Sequence, residues 1–125
     1  MNADLISEHD RRYSDAVSYL DNADPAMERR VAESLRPMLE AYCRVVYSND
    51  FPPGSMLGRF YGRCERVLDT PNEIMSRRHT LELRALLDYA NRYHHDTNSA
   101  YATELINDSE LEAYTRRTIS FIRRS

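Results

Sequence analysis

The segment Arg92-Tyr93-His94-His95-Asp96-Thr97-Asn98 holds the densest set of chemically capable side chains in the chain. Imidazoles and carboxylates move protons near neutral pH, and a guanidinium steadies a phosphate. In such a site His94 or His95 is the general acid or base on a ribose 2′-hydroxyl or a leaving oxygen, and Arg92 holds the phosphate. The same segment offers metal-ligand types. Neighbouring residues of a helix point in different directions, so only one of the two His is expected to converge with Asp96, and no metal is assigned. The plainer use is structural. His at a helix C-terminus interacts well with the dipole and caps free carbonyls, while Asp96 and Asn98 organise the loop that follows.

A second candidate lies near the end of the chain. Arg116 and Arg123 are two helical turns apart, as are Arg117 and Arg124, so the four are expected to form one basic ridge. A ridge of this kind can follow a phosphate backbone. It can equally be a solvated face with cations at a helix C-terminus. No aromatic set interleaves with these Arg to stack on bases.

Other chemistry is missing from the pattern. There is no Gly-rich phosphate loop, Walker motif, CxxC or HExxH, and no recognisable nucleophile context for a Ser. No cofactor is expected, and the chain by itself has no standard means of binding ATP.

The elements that position these groups are all expected to be helices. The chain has 125 residues, 42% hydrophobic and 30% charged, which fits one domain over residues 1–125 with a real core. All 17 basic residues are Arg, and the net charge of −3 argues against a general nucleic-acid coat. No apolar run approaches the roughly 18 residues of a membrane span. The polar, acidic start Met1-Asn2-Ala3-Asp4 is unlike a signal peptide, so a cytoplasmic setting without membrane contact is expected. Cys43 and Cys64 fall on apolar helix faces and are expected to be buried, reduced thiols.

Helical spacing predicts a first helix at 3–21, with Ile6, His9, Tyr13, Ala16, Val17 and Leu20 in its stripe. Asp24-Pro25 should open a second helix running to Tyr47, kinked or split at Pro37. Ser55 should cap a third at 56–68, and a fourth, at 73–93, should bury Ile74 and Leu81 among others. The box Ser109-x-x-Glu112 should cap a fifth at 109–124. Five helices joined by modest loops make a compact all-α bundle.

Several runs resemble a known family. They are Leu35-Arg36-Pro37-Met38-Leu39-Glu40-Ala41-Tyr42-Cys43-Arg44 and Phe51-Pro52-Pro53-Gly54-Ser55-Met56-Leu57-Gly58. Tyr93-His94-His95-Asp96-Thr97-Asn98 belongs with them, as does Glu110-Leu111-x-x-Tyr114-x-Arg116-Arg117-Thr118-x-x-Phe121-Ile122. Together they resemble the C-terminal helical region of bacterial AAA-family coiled-coil P-loop ATPases related to the RloC- and PrrC-type anticodon nucleases. The resemblance covers most of the chain and implies a bacterial anti-phage defence setting. The nucleotide-binding part of such proteins has no counterpart here. The wider group includes the HEPN ribonucleases, helical bundles that often dimerise, so the resemblance also implies a HEPN-like build. Their hallmark, Arg followed after some four to six residues by His, is absent before His9, His79, His94 and His95, and Arg92 stands too close to His94.

The expectation is therefore a non-enzymatic interaction module that associates with itself or with a P-loop ATPase. The alternative is a metal-independent, HEPN-like ribonuclease acting on RNA through Arg92, His94 and His95.

Overall fold

The structure is a computed structural model that describes residues 3–123, with side chains from residue 8 onward. Helix α1 spans Ala3–Asn22, α2 Glu28–Val46, α3 Leu57–Arg66, α4 Arg77–Ala90 and α5 Asp108–Arg123. Short 3-10 turns, Pro25–Met27 and Asn91–Tyr93, lead into α2 and out of α4. The chain is an all-α bundle, with no strand among the described residues. No described helix is long and apolar enough to cross a membrane.

Helix α2 is the central element because its apolar stripe feeds two core clusters. Val31, Ala32, Leu35 and Met38 pack with Ala16 and Tyr19 of α1, Tyr89 and Ala90 of α4, Tyr93, and Leu111 and Ile119 of α5. Leu39, Tyr42 and Cys43 pack instead with Phe51, with Leu57, Phe60 and Cys64 of α3, with Leu83 and Leu86 of α4, and with Phe121. Tyr114 and Ile122 of α5 lie against both clusters. Both cysteines are free and buried, as their positions on apolar faces predict.

Pro37 does not split α2, which runs unbroken through it. A proline inside a helix costs about 3 kcal/mol. Leu35, Met38 and Leu39, on either side of it, are each buried almost completely. Burying such side chains returns about 1.5–3 kcal/mol apiece, which outweighs the lost bond.

The helix ends also depart from the sequence pattern in instructive ways. Asp24 caps as predicted, its side chain accepting from the Ala26 amide at 3.0 Å, but it caps the 3-10 turn that precedes α2. Ser55 is not a cap; its hydroxyl donates back to the Pro52 carbonyl, and Met56 precedes α3 without a side-chain bond. Helix α4 starts at Arg77 because Ser76 accepts from the His79 amide at 3.1 Å. The preceding residues are held in a turn by Glu73, which accepts from the Asp69 amide at 2.9 Å. Leu81 lies on the outer face of α4, 53% exposed, where an apolar position was expected to be buried. Helix α5 is capped by Asn107, whose Oδ1 accepts from the Glu110 amide at 2.9 Å, rather than by the Ser109 box. Glu112 is then free to receive Arg116.

Candidate functional site

The His-His-Asp segment sits where α4 stops. Tyr93 fixes the stopping point: its ring is buried against Tyr89, with centroids 5.3 Å apart, and its hydroxyl donates to the Leu105 carbonyl at 2.8 Å. The carbonyls freed by the end of the helix are taken by side chains from further on. Thr97 Oγ1 donates to the Asn91 carbonyl at 2.7 Å, and Asn98 Nδ2 donates to the Arg92 carbonyl at 2.9 Å. The Thr97 and Asn98 amides both return to the His94 carbonyl, at 3.1 and 2.9 Å. Arg29, from α2, closes the far side of the loop by donating to the Tyr101 and Glu104 carbonyls at 3.1 and 2.8 Å.

This local geometry overturns the expectation that only one His meets Asp96. That expectation assumed a helix through the segment. His94 is instead extended, at φ −116° and ψ 128°, and the residues after it turn back. The two imidazoles come to lie side by side, with ring centroids 4.8 Å apart and planes tilted by 30°. His95 Nε2 lies 3.1 Å from Asp96 Oδ1. One donor atom from each of His94, His95 and Asp96 falls within 4.8 Å of the other two. His95 and Asp96 are exposed, and the His95 ring meets the edge of Tyr101 at 5.9 Å.

His94 is half-buried, and its Nδ1 has no hydrogen-bond partner among the described residues. Burial, and then the positive charge of Arg36, hold its pKa below the ordinary 6.5, against the opposing pull of Asp96 and Glu40. It is neutral at neutral pH. Arg36 is the residue that sequence reasoning overlooked. It lies on the buried side of α2, 8% exposed; one guanidinium nitrogen donates to Asn91 Oδ1, while its Nε has no hydrogen-bond partner among the described residues. A charged residue inside the run Leu35, Met38, Leu39 was the available signal.

Arg92 is committed elsewhere. It donates to Glu110 Oε1 at 3.0 Å and lies over the rings of Tyr89 and Tyr93, at 5.3 and 5.5 Å. Its guanidinium fastens the end of α4 to α5.

The Arg of α5 are likewise engaged one by one. Arg116 pairs with Glu112 at 3.2 Å on the exposed face. Arg117 makes two bonds to Glu82 of α4, at 2.6 and 3.1 Å, and covers the Tyr114 ring at 4.8 Å. Arg123 Nε donates to the Tyr13 hydroxyl at 2.6 Å and lies over that ring at 5.7 Å. Arg124 lies outside the described residues. The expected ridge is thus divided among three different partners.

An open groove of about 440 Å³ lies elsewhere, between the start of α2 and the start of α5. It is lined by Tyr19, Glu28, Asp108 and Glu112 and contains none of the His or Arg discussed above. No protein-family model, no curated protein and no solved structure matches this chain.

Proposed function

We propose that the chain is a helical interaction module of a bacterial defence-type system, working through self-association or through a P-loop ATPase partner. The observation that carries this reading is a set of exposed apolar side chains at the end of α2 and just ahead of α3. Val45 and Val46 stand 62% and 41% exposed, and Met56 is 61% exposed. The backbone that presents them is fixed. Arg44 donates to the Pro52 and Ser55 carbonyls at 3.1 and 2.9 Å, and its guanidinium lies 4.1 Å from the Phe51 ring centre. Exposed apolar side chains on a backbone that is held in place favour a partner surface. The resemblance to the C-terminal region of P-loop ATPases supplies the setting.

Light scattering on the purified chain, and capture from the native host followed by mass spectrometry, test this reading. A dimer, or a co-purifying P-loop ATPase, that is lost on Val45→Glu or Met56→Glu supports it. A monomer at high concentration that brings down no such ATPase overturns it.

One observation favours a second reading, the metal-independent ribonuclease. His94 has a guanidinium acting on it, and that group is Arg36 rather than Arg92. A neutral His beside a fixed cation suits proton transfer at a phosphodiester. RNA cleavage that survives chelator and disappears in His94→Ala supports this reading, and intact tRNA after long incubation ends it.

A further inference from the structure

The turn that follows α4 gathers three metal-ligand side chains that a helix would have kept apart. We infer that His94, His95 and Asp96 form a surface site for a divalent transition-metal ion such as Zn²⁺. The donor set, two imidazoles and a carboxylate, suits zinc and its late first-row neighbours and is poorly matched to Mg²⁺ or Ca²⁺, which favour all-oxygen sites.

Geometry carries the inference. Donors bonded to zinc at about 2.1 Å in a tetrahedron lie about 3.4 Å from one another. His95 Nε2 and Asp96 Oδ1, 3.1 Å apart, already stand at that spacing. The widest separation within the set is 4.8 Å. Closing it requires a movement of about 1.4 Å, which rotation of an exposed imidazole or carboxylate between ordinary rotamers provides.

The backbone beneath is already ordered, so little entropy is lost on binding. The His94 carbonyl is held by two amides, and Thr97 and Asn98 tie the turn to the end of α4. The charged groups around His94 are Arg36, Asp96 and Glu40, with His95 beside them. Arg36 opposes a cation, while Asp96 and Glu40 attract one. Three protein donors on an exposed turn leave a coordination position open to water or to a side chain from another molecule.

Zinc titration of the untagged 125-residue chain, followed by calorimetry and by the imidazole proton resonances, tests the site. The expected result is one Zn²⁺ per chain with a Kd at or below about 10 µM. His94 and His95 signals should shift, and those of His9 and His79 should stay in place. His95→Ala should weaken binding at least fivefold with unchanged helical circular dichroism, because that side chain is exposed. Asp96→Asn, also exposed, provides a second variant that leaves the fold intact and should weaken binding in the same direction. A weaker Kd for the natural chain, or a smaller change in His95→Ala, overturns the site. Because the readout is taken on the isolated chain, it is independent of both the interaction module and the nuclease.

Discussion

The turn at His94–Asn98 and the outer face of α5 both stand out in the sequence as clusters of chemically capable residues, and folding treats them in opposite ways. On α5 the periodicity is obeyed, yet the cations are separated by what packs beside them: Glu112, Glu82 and Tyr13 each take one Arg. At the turn the periodicity is broken, and the side chains converge because it is broken. Helical spacing tells which residues share a face. It does not tell which neighbouring element supplies a counter-charge to that face, or what happens once the helix stops.

The sharpest way to break this contrast is to remove the anchor of the turn. Tyr93→Ala should cost about 3–5 kcal/mol, since a fully buried aromatic is lost. Tyr93→Phe should cost about 1 kcal/mol, the worth of its bond to the Leu105 carbonyl. Denaturant melts measure both. In Tyr93→Phe, faster hydrogen exchange should appear in the 94–105 loop and not in α5. Equal changes in both regions would mean that the turn is not a separately held unit.

On α5 the division of the Arg among partners can be tested residue by residue. Arg117→Ala should destabilise by about 1 kcal/mol, because its two-pronged bond to Glu82 and its packing over Tyr114 join α5 to α4. Arg116→Ala should change stability by less than about 0.5 kcal/mol, because its pair with Glu112 is exposed and within one helix. Equal losses in thermal melts would restore the picture of a uniform solvated ridge.

The smallest effect is the dependence on pH. The pKa of His94 lies below 6.5 in the folded chain, so on acidification through that value the unfolded chain takes up its proton first. Stability should therefore fall as pH drops below about 6.5, and His94→Asn should lose less than the natural chain between about pH 7 and about pH 5. Identical slopes for the two would show that His94 is as solvated folded as unfolded.

The thiols provide a check on the core itself. Burial raises the Cys43 thiol to about 12 and the Cys64 thiol to about 11. Neither should react with a thiol reagent at neutral pH until the chain is unfolded.

Much of the fold was legible because it rests on local rules. Apolar residues at three and four spacing placed all five helices, and the same stripes placed Cys43 and Cys64 in the core. The failures lie where two local rules compete. Ser109 and Asn107 both qualify as the cap of α5, and Asn107 prevails. At Pro37 a kink or a split was expected, and α2 is not split but continues with Leu35, Met38 and Leu39 buried on either side. At the candidate site, the residue types were visible but their grouping was not. Arg92 seemed the natural companion of His94 because it is close in sequence. Tyr89, Tyr93 and Glu110 hold it instead, and the guanidinium whose charge acts on His94 is that of Arg36, far away in sequence.

The sequence by itself determined that the chain is helical, where its apolar stripes run and which residues have the chemistry to act. These follow from spacing along one chain direction, because between its ends a helix pairs its own backbone groups four residues apart. Only the tertiary structure decided which charges neutralise each other, which cation acts on His94, and that two adjacent imidazoles meet one carboxylate. Those outcomes depend on contacts between residues distant in sequence and on the backbone of a turn, and neither has a period that can be read from the order of residues.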